Sequence, residues 1–109
     1  MQSAGVVENK IFQALADPSR RAIFESLTRG EAAVKDLTAR FHISQPAVSQ
    51  HLATLKDARL VKCRRHGRCV HYRVNPRGMK PLIDWIAHYR AFWADRLDRL
   101  EALLEQMDE

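Results

Sequence analysis

Long apolar runs, cysteines and catalytic signatures are all scarce in this chain, and each scarcity narrows its function. No apolar run approaches the roughly 20 residues that span a bilayer, and the N-terminus has no charged segment leading into an apolar one. A soluble, cytoplasmic protein with no membrane partner is expected. Cys63 and Cys69 are the only cysteines, too few for a disulfide framework in a chain of this size, and reduced thiols fit that compartment. Nucleophile elbow, phosphate loop, metal quartet and isolated carboxylate pair are all missing. The expectation is a protein that is not an enzyme and takes no cofactor.

What is present is enough for one core. With 109 residues, 46% of them hydrophobic, the chain suits a single domain over 1–109. Its net charge of +5 favours an anionic partner. That charge is unevenly placed: residues 1–78 carry a net +8 and residues 79–109 a net −3. The anion-binding face therefore lies upstream, and the last segment serves another purpose.

Hydrophobic spacing predicts five helices and a hairpin. Val7, Ile11 and Leu15, with Phe12 nearby, repeat at helical spacing over 6–15. Asp17 and Pro18 then suit the cap and first turn of a second helix, Ser19–Thr28, whose apolar side is Ile23, Phe24 and Leu27. A short third helix, Lys35–Phe41, is followed by the break His42-Ile43-Ser44. Ser44 is a good N-cap and Pro46 a good first-turn residue for a fourth helix, with Val48, Leu52 and Leu55 as its buried stripe. Over 60–74 (LVKCRRHGRCVHYRV), β-branched and aromatic residues alternate with basic ones, and His66-Gly67 reads as a two-residue turn. Asn75-Pro76-Arg77-Gly78 breaks the chain before one long helix, 79–107, of about 44 Å.

Two short helices, a three-residue turn and a basic hairpin follow the order of a winged helix-turn-helix, whose second motif helix enters the major groove. The expected fold is mainly α with a small β-hairpin: five helices and a two-stranded wing, with a DNA-binding core over about 10–75. On the fourth helix, Ser44, Gln45, Pro46, Ala47, Ser49, Gln50 and His51 fall on the outward or N-terminal part. Gln45 and Gln50 suit paired hydrogen bonds to adenine, Ser44 or Ser49 a phosphate, and Ala47 a thymine methyl. The alternative is that Ser44 only caps and the rest is a solvated face. Arg64, Arg65, His66 and Arg68 crowd the hairpin tip, suited to the minor groove or phosphates. Arg20 and Arg21 are further candidates for the DNA backbone, although Arg20 equally suits an internal ion pair.

LADPSRRAIFESL (15–27), DLTARFHISQPAVSQHLATLKDARLV (36–61) and YRV (72–74) resemble the ArsR/SmtB family of dimeric bacterial repressors. The resemblance spans roughly residues 10–75. On the last helix, Leu82, Ile86, Tyr89, Trp93, Leu97, Leu100 and Leu104 form an apolar stripe too long for one small domain to cover. With Val7 and Ile11 of the first helix they are expected to form a homodimer seam, and the resemblance implies the same two-helix interface. The expected function is a sequence-specific regulator of double-stranded DNA, most simply a repressor at an inverted-repeat operator and possibly of its own promoter. A winged-helix module for protein or RNA contacts, or a metal- or redox-responsive repressor, is the alternative.

A metal response is disfavoured residue by residue. The family's paired cysteines would fall at Ala33 and Lys35, and Asp84 and His88 lack a second histidine to complete a site. No metal ligand is assigned, and the effector is unknown. With the turn at His66-Gly67, Cys63 should face Val70 and Cys69 should face Arg64, putting the thiols on opposite faces of the hairpin.

Overall fold

The computed structural model describes residues 4–108, with the side chains of 4–8 and 91 outside the description. The expected seam residue Val7 is among those whose side chains are not described. Helix α1 spans Ala4–Ala16 and α2 spans Pro18–Thr28. Between them Asp17 is extended, and its carboxylate accepts the Arg20 N–H at 2.9 Å while Pro18 opens the helix. An N-cap and a first-turn proline stop one helix and start the next within a single residue, which makes the sharp corner.

The helix-turn-helix follows the same local logic. Helices α3 (Val34–Phe41) and α4 (Gln45–Asp57) are joined by His42, Ile43 and Ser44. His42 takes the left-handed conformation (φ 54°), and its N–H donates to Thr38 O at 3.2 Å, closing α3. Ile43 packs on the core, and Ser44 Oγ accepts the Ala47 N–H at 3.2 Å, opening α4. At the other end of α4 the Arg59 N–H donates to Lys56 O and the Leu60 N–H to Leu55 O, with Arg59 left-handed. This paired closure is a Schellman motif, and Leu55 and Leu60, both fully buried, supply its apolar contact.

The wing is built on three strands, not two. Strands β2 (Val61–His66) and β3 (Cys69–Val74) form the hairpin, and β1 (Ala32–Ala33) adds to β3 to give the order β1-β3-β2. Two alanines show no alternation, so β1 left no periodic signal. The turn is also displaced from its expected position: Gly67 and Arg68 are its central residues, and Gly67 has φ +66°. A turn with positive φ at its first central residue favours glycine there, which moves the pairing by two. Cys63 faces Tyr72 and Cys69 faces His66, rather than Val70 and Arg64. A shift of two leaves every side chain on its original face, so the thiols still lie on opposite sides. Cys63 shares the core side with Val61, Tyr72 and Val74.

The core gathers Ile11 and Ala14 of α1, Ile23, Phe24 and Leu27 of α2, Leu37 of α3, and Val48, Leu52 and Leu55 of α4 around Leu60 and Val61. Ile11 is fully buried in it, which corrects its expected place at the dimer seam. On a helix only two turns from its corner, the residue facing α2 and α4 is consumed by the chain's own core. After β3 a 3-10 turn, Pro76–Met79, leads into α5, Lys80–Met107. At Gly78 a Cβ would lie 1.5 Å from the carbonyl oxygen of Arg59. The entry to α5 is thus pressed against the exit of α4, with room for hydrogen alone. Gly78→Ala should lower stability by about 1–3 kcal/mol, read as a fall in Tm; an unchanged Tm would show that this contact does not hold α5.

Candidate nucleic-acid interface

Burial of Val48, Leu52 and Leu55 turns the opposite side of α4 to solvent. Ser44, Gln45, Pro46, Ser49 and Gln50 are exposed, and Ala47 and His51 are half-buried. The expected recognition residues thus lie together on the outer and N-terminal part of one helix. Ser44 is also the cap, so its oxygen already holds one backbone N–H. His51 differs from the others because its Nδ1 is buried and meets no hydrogen-bond partner.

The wing divides its cations by strand alternation. Arg65 shares the core-side face of the hairpin with Val61 and Cys63, Arg68 sits in the turn, and Arg64 and His66 lie on the other face. Arg64 does not reach outward unaccompanied. Its Nε and Nη2 donate to the two carboxylate oxygens of Glu31 at 2.9 and 3.0 Å. These bonds hold the Glu31 carboxyl below the usual carboxylate range. His66 stacks edge-on against His71, with centroids 5.7 Å apart. Of the four expected wing contacts, Arg65, His66 and Arg68 take part in no ion pair among the described residues, and Arg64 braces the wing against the segment before β1.

Arg20 and Arg21, the further candidates, both have internal partners. Arg20 donates to the carbonyls of Ala14 (2.6 Å) and Gln13 (3.1 Å), and Arg21 to that of Leu15 (2.7 Å). Both guanidinium groups satisfy carbonyls that the last turn of α1 leaves open. An internal role for Arg20 holds, but its partner is a helix end rather than an acid. One further cation stands close to Gln45 and Arg68. Lys35, in the first turn of α3, lines a cleft of about 250 Å³ with Val34, Gln45, Arg68 and Val70. A basic residue at a helix start, where cations are disfavoured, was the available signal.

Helix α5 leaves a different surface. Trp85 packs edge-on against Phe12 of α1 at 5.3 Å, and Leu82 touches the core. Beyond them Ile86, Tyr89, Trp93, Leu97, Leu100, Leu103, Leu104 and Met107 are all large and exposed, from 37% at Tyr89 to 72% at Met107. An apolar groove of about 310 Å³ runs along this face between Trp85 and Leu97. Arg96 lies 4.0 Å over the Phe92 ring. Asp84 accepts from Lys80 Nζ at 2.8 Å, and His88 stacks against Tyr89. Among the described residues no three His, Cys, Asp or Glu side chains come together as metal ligands, and no helix is long and apolar enough to cross a membrane.

A helix-turn-helix followed by a basic hairpin defines a winged-helix protein, and the comparisons with known proteins agree. Residues 17–62 match the model of the bacterial regulatory protein, arsR family. The chain is 33% identical over 81 residues to the transcriptional repressor SdpR of Bacillus subtilis, covering 74% of this chain and 90% of that protein. It is 47% identical over 74 residues to the HTH-type transcriptional regulator Rv2034 of Mycobacterium tuberculosis, covering 68% and 69%. The crystal structure of an ArsR family transcriptional regulator superposes with a TM-score of 0.73 at 31% identity, covering 86% of this chain and 97% of that one. This chain belongs to the ArsR family of DNA-binding transcriptional regulators, which is not a family of enzymes.

The Glu31–Arg64 brace and the Asp17 cap carry a pH signature. The Arg64 hydrogen bonds lower the Glu31 carboxyl, and the Arg20 N–H lowers that of Asp17. Unfolded chain therefore binds more protons in this range, and stability rises with pH. The contribution is full above the ordinary values of 4.5 and 3.8 and is lost as pH falls through the lowered folded values. Thermal melts from neutral pH downward should show a shallower acid limb for Glu31→Gln than for the unmodified chain; parallel limbs would remove Glu31 from the account.

Proposed function

We propose that this chain is a homodimeric transcriptional repressor that binds an inverted-repeat operator in duplex DNA. The carrying observation is the cleft in which Gln45, at the start of the exposed polar face of α4, meets the wing-turn cation Arg68. A helix bearing small polar residues fits the major groove, and amide side chains suit adenine edges. The flanking cations suit phosphates or a narrow minor groove. The relative from Bacillus subtilis is named as a repressor, which favours occlusion of a promoter over activation.

The dimer rests on the outer face of α5. A monomer seldom exposes an apolar patch larger than a few hundred Å², and this stripe continues from Ile86 to Met107. A second copy of the same stripe covers it symmetrically, with α1 alongside through Phe12 and Trp85. Such a pair presents two copies of α4 to major grooves about one turn, 10 bp, or a multiple apart. In this reading residues 10–75 are the DNA-binding part of a single domain and α5 is its dimerisation helix.

Selection of bound sequences from a random duplex pool should enrich an inverted repeat bound by two subunits, with affinity falling steeply as salt rises. No enriched sequence would refute the specific regulator. On the selected duplex, Gln45→Ala should relax base discrimination by about 1–3 kcal/mol, whereas equal loss on every sequence would remove Gln45 as a base reader. Trp93→Asp and Leu100→Asp should give monomers that bind the repeat much more weakly. Dimer mass retained in light scattering would overturn the α5 seam.

A further inference from the structure

The cleft between the wing and the two helices of the motif has cations on both sides. Lys35 stands in the first turn of α3 and Arg68 in the wing turn, with Gln45 at the start of α4 and the apolar Val34 and Val70 between them. Among the described residues the ion pairs are Lys10–Asp57, Arg64–Glu31, Lys80–Asp84 and Arg99–Asp95, so Lys35 and Arg68 share in none of them. The neighbouring Asp36 carboxylate is turned back to accept the Ala33 N–H at 3.3 Å. Lys35 also stands where the helix dipole disfavours a cation. Two like charges lining one partly apolar cleft repel each other in the unliganded protein, and an anion between them removes that cost.

We propose that this cleft seats one backbone phosphate of duplex DNA, clamped by Lys35 and Arg68, and so sets the register at which α4 meets the bases. The inference rests on the DNA reading above and adds α3 to the contact surface. Arg68 supplies a planar fork and Lys35 a point charge, a pairing that suits the tetrahedral phosphate group. Because Gln45 lines the same cleft, a phosphate held there fixes the distance from the sugar-phosphate backbone to the first amide side chain of α4. Lys35 and Arg68 are thus positioning residues, sequence-blind themselves and placed beside one suited to reading sequence.

The test is a salt titration of binding to a fluorescein-labelled 30-bp duplex by the unmodified chain, Lys35→Ala, Arg68→Ala and the double variant. Each single change should lower the slope of log affinity against log salt by about 0.9 per bound subunit, equivalent to an affinity ratio between 50 and 200 mM salt about 3-fold smaller. Lys35→Arg should restore the slope. The double variant should lose less than the product of the single losses, because both groups hold one phosphate. Without DNA, the Tm of Lys35→Ala should be unchanged or raised by about 1–5 °C. A lowered Tm would make Lys35 structural and overturn the proposal. An unchanged slope for Lys35→Ala, with strong duplex binding by the unmodified chain, overturns the clamp alone. Losses that multiply assign the two cations to separate phosphates and overturn the shared seat. No duplex binding by the unmodified chain removes the DNA reading and the clamp together.

Discussion

The burial of Val48, Leu52 and Leu55 against α2 and α3 is the contact on which the rest of the molecule depends. These three side chains lie in the same core as Ile23, Leu27 and Leu37, and their fixed spacing on α4 decides which face of that helix meets solvent. Truncating Leu52 or Leu55 to alanine removes about 2–5 kcal/mol by transfer and cavity terms, a large share of the stability of a small domain. The orientation of the recognition surface is therefore a consequence of core packing. The left-handed turn at His42 and the Schellman closure at Arg59 set only where α4 begins and ends.

Around that core the chain divides its positive charge between structure and surface. Arg20 and Arg21 close α1, and Arg64 ties the wing to Glu31. None of the three has a buried carboxylate as partner, so none bears the desolvation cost of a buried ion pair. Near the start of α4 and the wing turn, Lys35, Arg65 and Arg68 take part in no ion pair among the described residues. Fewer cations are thus free of internal carboxylates than the net charge of residues 1–78 implies. The wing is held at its base by three strands and by the Glu31 brace, so its tip is presented by a stiff support.

Helix α5 obeys a different constraint. Its first turns are anchored by Leu82 on the core, by Trp85 against Phe12 and by the contact of Gly78 with Arg59. From Ile86 onward its large apolar side chains are exposed among the described residues. At 28 residues it is about 42 Å long, longer than the rest of the chain can pack against. Its exposed apolar stripe and the net negative charge of this segment set it apart from the basic wing.

Helix positions, the motif turn, the α4 cap and the outward polar set were all legible from local patterning. Capping chemistry, proline at first turns and apolar periodicity act over a few residues, and a linear chain displays them directly. Strand β1 was hidden because two alanines have no period, and the hairpin turn was misread because either residue pair containing Gly67 fits a two-residue loop until φ is known. The internal partners of Arg21 and Arg64 and the complete burial of Ile11 leave no local signal in the sequence. An arginine in a basic stretch reads the same whether it meets a phosphate, a helix end or a glutamate 33 positions away. Periodicity thus settles which side of an element is apolar, because that depends on neighbours in the chain. Which charged groups stay available for a partner depends on neighbours in space, and those exist only once the helices and the wing have packed.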